Sequence, residues 1–151
     1  MRAVVQRVKN ASVTVDGNIV GKIEQGFLVL LGVTHNDTIK EVEWLSKKIA
    51  DLRVFNDSDD KMNLGLKDIN GEMLVISQFT LYGNCIKGRR PSFIDAARPD
   101  HANELYEKFL DSCKNMDIKT EAGVFGADMK VELLNDGPVT LVIDTNDVKS
   151  L

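Results

Sequence analysis

Apolar residues alternate with polar ones over residues 2–8 and again over 11–15, the two-residue period of strands with one buried face. Asp16-Gly17-Asn18 follows with turn chemistry and joins two strand-like runs. From Gly26 through Val33 the apolar run is continuous, as in a strand covered on both faces. The period then lengthens. Ile39, Val42, Leu45, Ile49 and Leu52 recur at three- and four-residue steps and predict an amphipathic helix, with Asn36 or Asp37 as its cap. Residues 56–71, rich in Asp, Asn and Gly, predict a loop with a short strand-like piece near Met62. Met73 to Leu81 predicts another strand, and 83–97 an irregular basic segment. Pro99 and Asp100 open a second helix, whose buried stripe is Ala102, Leu105, Phe109 and Cys113. Three closing strands are predicted at Ile118 to Glu121, Met129 to Leu134 and Val139 to Asp144.

Strands outnumber helices, and the helices fall between groups of strands. The pattern predicts an α/β domain with mixed or antiparallel sheets and two main helices packed on one side. With 151 residues, no internal repeat and no linker, residues 1–151 form one domain. No stretch approaches the roughly 20 apolar residues that span a bilayer. The first residues alternate like a strand and lack the apolar middle of a signal peptide, so a soluble, cytoplasmic protein is expected. The net charge of −4 argues mildly against a nucleic-acid partner. Local patches decide contact, however, and Lys87, Arg89, Arg90 and Arg98 fall within twelve positions that hold one acid, Asp95.

Side chains suited to nucleophilic catalysis are scarce. His35 precedes a helix start and His101 lies in a first helical turn, both surface positions, so a Ser-His-Asp triad is poorly supported. Cys113 falls on an apolar helix stripe and Cys85 has no base near it in sequence. Two cysteines make no disulfide framework, and no His, Cys or carboxylate cluster has metal-ligand spacing, so neither metal nor cofactor is expected.

Two segments stand apart. Ser77-Gln78-Phe79-Thr80-Leu81-Tyr82-Gly83 places two hydroxyls and an amide where an apolar strand runs out. If the strand continues, Ser77 and Phe79 share one face and Gln78 and Thr80 the other. Its polar groups either bond the adjacent loop or form a bend whose backbone N–H groups steady an oxyanion. Asn135-Asp136-Gly137-Pro138-Val139-Thr140 puts Gly-Pro directly before an apolar run. That pair is either a strand-start turn or a cis peptide bond fixed for a purpose. Between them, Ala122-Gly123-Val124-Phe125-Gly126-Ala127-Asp128-Met129 has the glycine spacing of a bulge or crossover.

Together with Met1-Arg2-Ala3-Val4-Val5-Gln6-Arg7-Val8, these segments resemble the signatures of the D-aminoacyl-tRNA deacylases, and the resemblance runs from Met1 to Val142. It implies β/β/α layering, a homodimer, and hydrolysis of the ester between a D-amino acid and the 3′ end of tRNA. It implies an ester-binding catalytic floor at Ser77, Gln78, Phe79 and Thr80, with Thr80 either a nucleophile or a positioning group beside a water assisted by the substrate's 2′-hydroxyl. Gly137 and Pro138 would enter the partner subunit's site as a cis pair and exclude L-residues, leaving glycyl-tRNA, such as tRNA(Ala) mischarged with glycine, as a secondary substrate. Phe125 and Met129 would pocket the terminal adenosine, though Ala122 stands where the family often has Thr, which puts a hydroxyl contact there in doubt. Lys87, Arg89 and Arg90 would meet acceptor-stem phosphates. Two rival readings of the residues are a hydroxyl-nucleophile esterase on small D-amino-acid esters and a non-catalytic module holding an RNA end.

Overall fold

A computed structural model describes residues 1–151. Its axis is β1 (Arg2–Val15), one unbroken strand where the sequence pattern showed two alternating stretches. The alternation lapses at Lys9 and Asn10, where the pairing to β8 skips Lys9 and resumes with Asn10 opposite Leu134. Along one edge β1 pairs antiparallel first with β3 (Gly26–Gly32) and then with β2 (Asn18–Ile23), which follow each other nearly in line. The hairpin turn is Asp16-Gly17, both at positive φ. Along the other edge β1 pairs with β8 (Lys130–Asp144).

From β3 the sheet grows by parallel pairing to β6 (Glu72–Ser77) and then β7 (Thr120–Ala122). Parallel neighbours need crossovers, and helices supply them. The first crossover contains α1 (Ile39–Asp51) and the small hairpin of β4 (Phe55–Asn56) and β5 (Met62–Leu64). The second contains α2 (Pro99–Asn115).

The core follows from strands buried on both faces. Phe27, Val29 and Leu31 of β3, with Met73 and Val75 of β6, meet Leu45, Ile49, Leu105 and Phe109 from the two helices. On the opposite face Leu28, Leu74 and Ile76 meet Val8, Ala11, Val13 and Ile23, because the distal half of β1 and β2 folds back across the sheet. Two sheet layers and one helical layer result.

Several boundaries differ from those expected. The cap of α1 is Thr38, whose hydroxyl accepts from the Lys40 N–H while Glu41 accepts from the Thr38 N–H, a reciprocal capping box. Asp37 is unavailable as a cap. It is buried, with one carboxylate oxygen on the Met1 amino group at 2.6 Å and the other on the Thr34 N–H at 2.8 Å. The strand expected to reach Leu81 stops at Ser77 and becomes a 3₁₀ turn over Phe79–Tyr82. The strand expected at Ile118 begins at Thr120. The strands expected at Met129 to Leu134 and Val139 to Asp144 are one strand, β8, which begins at Lys130 and is interrupted by a bulge.

One glycine is fixed by close approach. Gly26 pairs with Glu72 at the start of the β3–β6 ladder, and a Cβ there would lie 1.8 Å from the Glu72 carbonyl oxygen. Gly26→Ala is expected to cost about 3 kcal/mol or more, because the clash is with the Glu72 backbone, which cannot swing aside as a side chain can. Urea unfolding measures it, and an unchanged midpoint would contradict the approach.

Candidate active site

The turn at the end of β6 is set by what surrounds it. Gln78 leaves the strand with φ −143° and ψ 82°, and its N–H still reaches the Leu31 carbonyl at 2.8 Å. The chain then tightens into 3₁₀ geometry, with Leu81 N–H to Gln78 O and Gly83 N–H to Thr80 O. The opening amides of such a turn, here those of Phe79 and Thr80, have no partner within it. The Gln78 side-chain amide donates to the Thr80 hydroxyl.

Beside this turn lies a cavity of about 640 Å³. Ser77, Gln78 and Phe79 line it together, which corrects the alternating-face expectation: the strand has ended, so neighbouring side chains need not point apart. Phe125 and Met129 form the facing wall with Tyr106 of α2. Tyr106 is tilted against Phe125 with ring centroids 6.0 Å apart. A Cβ on Gly123 would lie 2.5 Å from the Met129 sulfur, so the glycine is what lets Met129 sit there. Arg98 and Asp128 are the charged residues of the lining, and Asp128 also pairs with exposed Lys130 at 3.0 Å.

The phenol, thiol and imidazole groups nearest the cavity are held neutral or turned away. Burial pushes the Tyr106 phenol far above its usual range, with the Glu107 charge adding to the shift, and its hydroxyl donates to the Val75 carbonyl at 2.7 Å. Burial likewise pushes the Cys113 thiol up to about 12, which leaves no thiolate near neutrality. His35 and His101 bond backbone carbonyls of Ile94 and Asp37, at 2.6 and 2.9 Å, and neither lines the cavity. His101 is half-buried where a surface position was expected. Thr80 is exposed and lies outside the lining.

The remaining expected residues lie elsewhere. Lys87, Arg89 and Arg90 are exposed on the segment after the turn, and none pairs with a carboxylate. Gly137 and Pro138 sit in the bulge of β8, outside the lining of this chain's own cavity, and their peptide bond is cis. Between the pairs Gln6–Thr140 and Val8–Asn135, residues 136–139 face Arg7 alone. The Asn135 side chain spans the gap: it accepts from the Val139 N–H at 2.8 Å and donates to the Val139 carbonyl and the Thr140 hydroxyl. Gly137 has φ +137°, where a side chain is strained, and an added Cβ would meet the Arg7 guanidinium at 2.9 Å.

Arg7 was not singled out by its motif, although a signal existed: it continues the inward period of Ala3 and Val5 as a charge in a core position. It is 7% exposed. Its guanidinium donates to the Asp136 carbonyl at 2.8 Å and the Val54 carbonyl at 2.6 Å, which fixes the bulge from beneath. Arg7→Met is expected to cost about 3 kcal/mol, since two carbonyls lose a charged donor. A loss below about 1 kcal/mol on urea unfolding would mean that the fork carries little of the bulge's stability.

Comparison with known proteins bears on the same segments. The family model described as D-Tyr-tRNA(Tyr) deacylase matches residues 4–144. A protein of Fusobacterium nucleatum named D-aminoacyl-tRNA deacylase is 65% identical over 147 residues, covering 97% of each chain. One of the same name from Thermosipho africanus is 59% identical, covering 98% of this chain and 99% of its own. Among solved structures, a c-Myc DNA unwinding element binding protein superposes with TM-score 0.89 at 41% identity, over 95% of this chain and 98% of that one. A probable eukaryotic D-amino acid tRNA deacylase shares the fold with TM-score 0.80 at 16% identity, over 94% and 97%. The family model takes in β1 from Val4 onward, the turn after β6, the Phe125 wall and the bulge of β8, and the chain belongs to the D-Tyr-tRNA(Tyr) deacylase family.

Proposed function

We propose that the protein hydrolyses the ester joining a D-amino acid to the 3′ end of tRNA, and that it does so as a cytoplasmic homodimer. The observation that carries this reading is the cavity of a family member in which a turn of free-ended backbone faces an apolar wall of Phe125, Met129 and Tyr106. The wall suits the terminal adenine, since unstacked bases are commonly held on such side chains. The turn suits the ester. Water adds to the carbonyl carbon, the opening amides of Phe79 and Thr80 hold the oxyanion, and the bond to the ribose 3′-oxygen breaks as that oxygen takes a proton. A preorganised donor of this kind is worth roughly 10²–10³ in rate. The substrate's 2′-hydroxyl assists the water, because no histidine or cysteine of the chain lines the cavity and its one carboxylate, Asp128, is paired with Lys130.

The filter is the Gly137-Pro138 backbone of the partner subunit, whose carbonyls take the amino group of a D-residue and leave no room for an L side chain. Three observations support a cross-subunit role. The pair is exposed, it lies outside its own chain's cavity, and Arg7 with Asn135 holds it rigid. The outer edge of β8 is unpaired and carries exposed Leu133, Leu134 and Val142, the kind of edge that a second copy covers. Glycine has no side chain to exclude, so glycyl-tRNA, including tRNA(Ala) mischarged with glycine, passes the filter. Lys87, Arg89 and Arg90 add salt-dependent contacts to stem phosphates.

The test is hydrolysis of matched D- and L-tyrosyl-tRNA beside a free D-tyrosine ester. D-tyrosyl-tRNA should be cleaved at least about 100-fold faster than the L-form, a discrimination of roughly 3 kcal/mol. Equal rates on the two tRNAs would refute the filter. Equally fast cleavage of the free ester would favour a small-ester esterase, and no cleavage would favour a binding module. Thr80 positions the turn through Gln78 and is not acylated, so Thr80→Ala should keep its single-turnover rate within about threefold, under 1 kcal/mol of barrier. An aminoacyl adduct trapped on Thr80 would make it the nucleophile.

A further inference from the structure

The basic segment after the turn is an arm with a defined root. Asn84 and Ser92 exchange backbone hydrogen bonds at 2.8 and 2.9 Å, and the Asn84 carboxamide accepts the Ile86 N–H. Lys87, Arg89 and Arg90 lie between these limbs and none is ion-paired with a carboxylate, so the arm carries clustered like charge. The returning limb is tied down. Thr34 donates its hydroxyl proton to the Asp95 carbonyl at 2.6 Å, His35 meets the Ile94 carbonyl, and the Ala97 N–H reaches Val33 at 2.9 Å.

Between tip and tether Phe93, which also lines the cavity, touches the turn. Its ring meets Phe79 edge-to-face, with centroids 5.2 Å apart and planes at 72°. It also lies over Gly83, where a Cβ would come within 2.9 Å of Phe93 Cε1 and 3.0 Å of the Thr80 carbonyl. Gly83 itself donates to that carbonyl at 2.9 Å. Phe93 therefore bears on both ends of the 3₁₀ turn. The two rings are 58% and 37% exposed, so core burial does not enforce their contact. The path of the arm does.

We propose that Phe93 is a positioning residue that couples the basic arm to the Phe79–Thr80 turn. Phosphates of the substrate's RNA body fix the arm, the arm fixes Phe93, and Phe93 sets the Phe79 and Thr80 amides against the ester. RNA beyond the terminal nucleotide then raises the rate of the chemical step as well as affinity. This rests on the deacylase reading. An edge-to-face pair contributes up to about tenfold in an equilibrium between two settings of the turn.

Steady-state hydrolysis of D-tyrosyl-tRNA and of 3′-O-D-tyrosyl-adenosine tests it. For the unaltered protein kcat on the tRNA should exceed kcat on the adenosine ester by about tenfold. The triple variant Lys87→Ala, Arg89→Ala, Arg90→Ala should bring that ratio towards one and raise KM for the tRNA. Phe93→Leu, which removes the ring edge, should also bring the ratio towards one but leave KM for the tRNA within about twofold. Phe93→Tyr keeps the ring and should keep the ratio. A purely structural Phe93 would lower both kcat values in step and preserve the ratio, which overturns the coupling. A starting ratio of one, with arm effects confined to KM, overturns it too. Cleavage of neither D-substrate by the unaltered protein would instead sink the deacylase reading, and the coupling with it.

Discussion

Backbone hydrogen bonding along both edges of β1 is the constraint on which the rest of the structure depends. One edge holds β3, which holds β6, which delivers Ser77 and the turn after it. The other edge holds β8 and therefore the Asp136–Val139 bulge. The two segments singled out by their unusual composition are thus placed by opposite edges of one strand. Arg7 projects from that same strand and fastens the bulge to the Val54 carbonyl. A shift of β1 by one residue would turn Arg7 out of the core and Gln6 into it.

Much of this architecture was legible as periodicity. Gly26 to Val33 reads as a doubly buried strand because Phe27, Val29 and Leu31 serve one core and Leu28 the other. The helix stripes were equally plain, since Val42, Leu45 and Ile49 are all buried. Element ends were less so. Asp37 has the composition of a cap, but a carboxylate taken up by the Met1 amino group and Thr34 cannot also cap a helix. Thr38, one position later, carries the box with Glu41. The long-range partner decides the local role, and it lies 36 residues away.

The site was legible in outline and misread in geometry. Extending β6 to Leu81 assigned Ser77 and Gln78 to opposite faces, yet both line the cavity once the strand gives way to a 3₁₀ turn. Period-two reasoning holds only while the ladder does, and the parallel pairing to β3 ends at Ser77. Tyr106 escaped notice for a related reason. It sits beside Leu105, four residues after Ala102, at the flank of the expected stripe, so its role emerges only once Phe125 packs against it. Gly137-Pro138 was visible as a motif, whereas the Asn135 side chain that replaces the missing ladder bonds there was not.

The bulge of β8 has a genetic consequence. Gly137 has no side chain, so what it presents outward is main chain, and every residue has a main chain. A point mutation cannot delete a carbonyl as it deletes an imidazole. Inherited damage to the bulge must therefore act indirectly, by altering the path of the chain. The positions through which it can do so are few: Gly137, where a side chain meets the Arg7 guanidinium, Pro138, whose ring fixes its φ, Arg7 itself, and Asn135. Selection on this part of the molecule falls on the scaffolding of a shape.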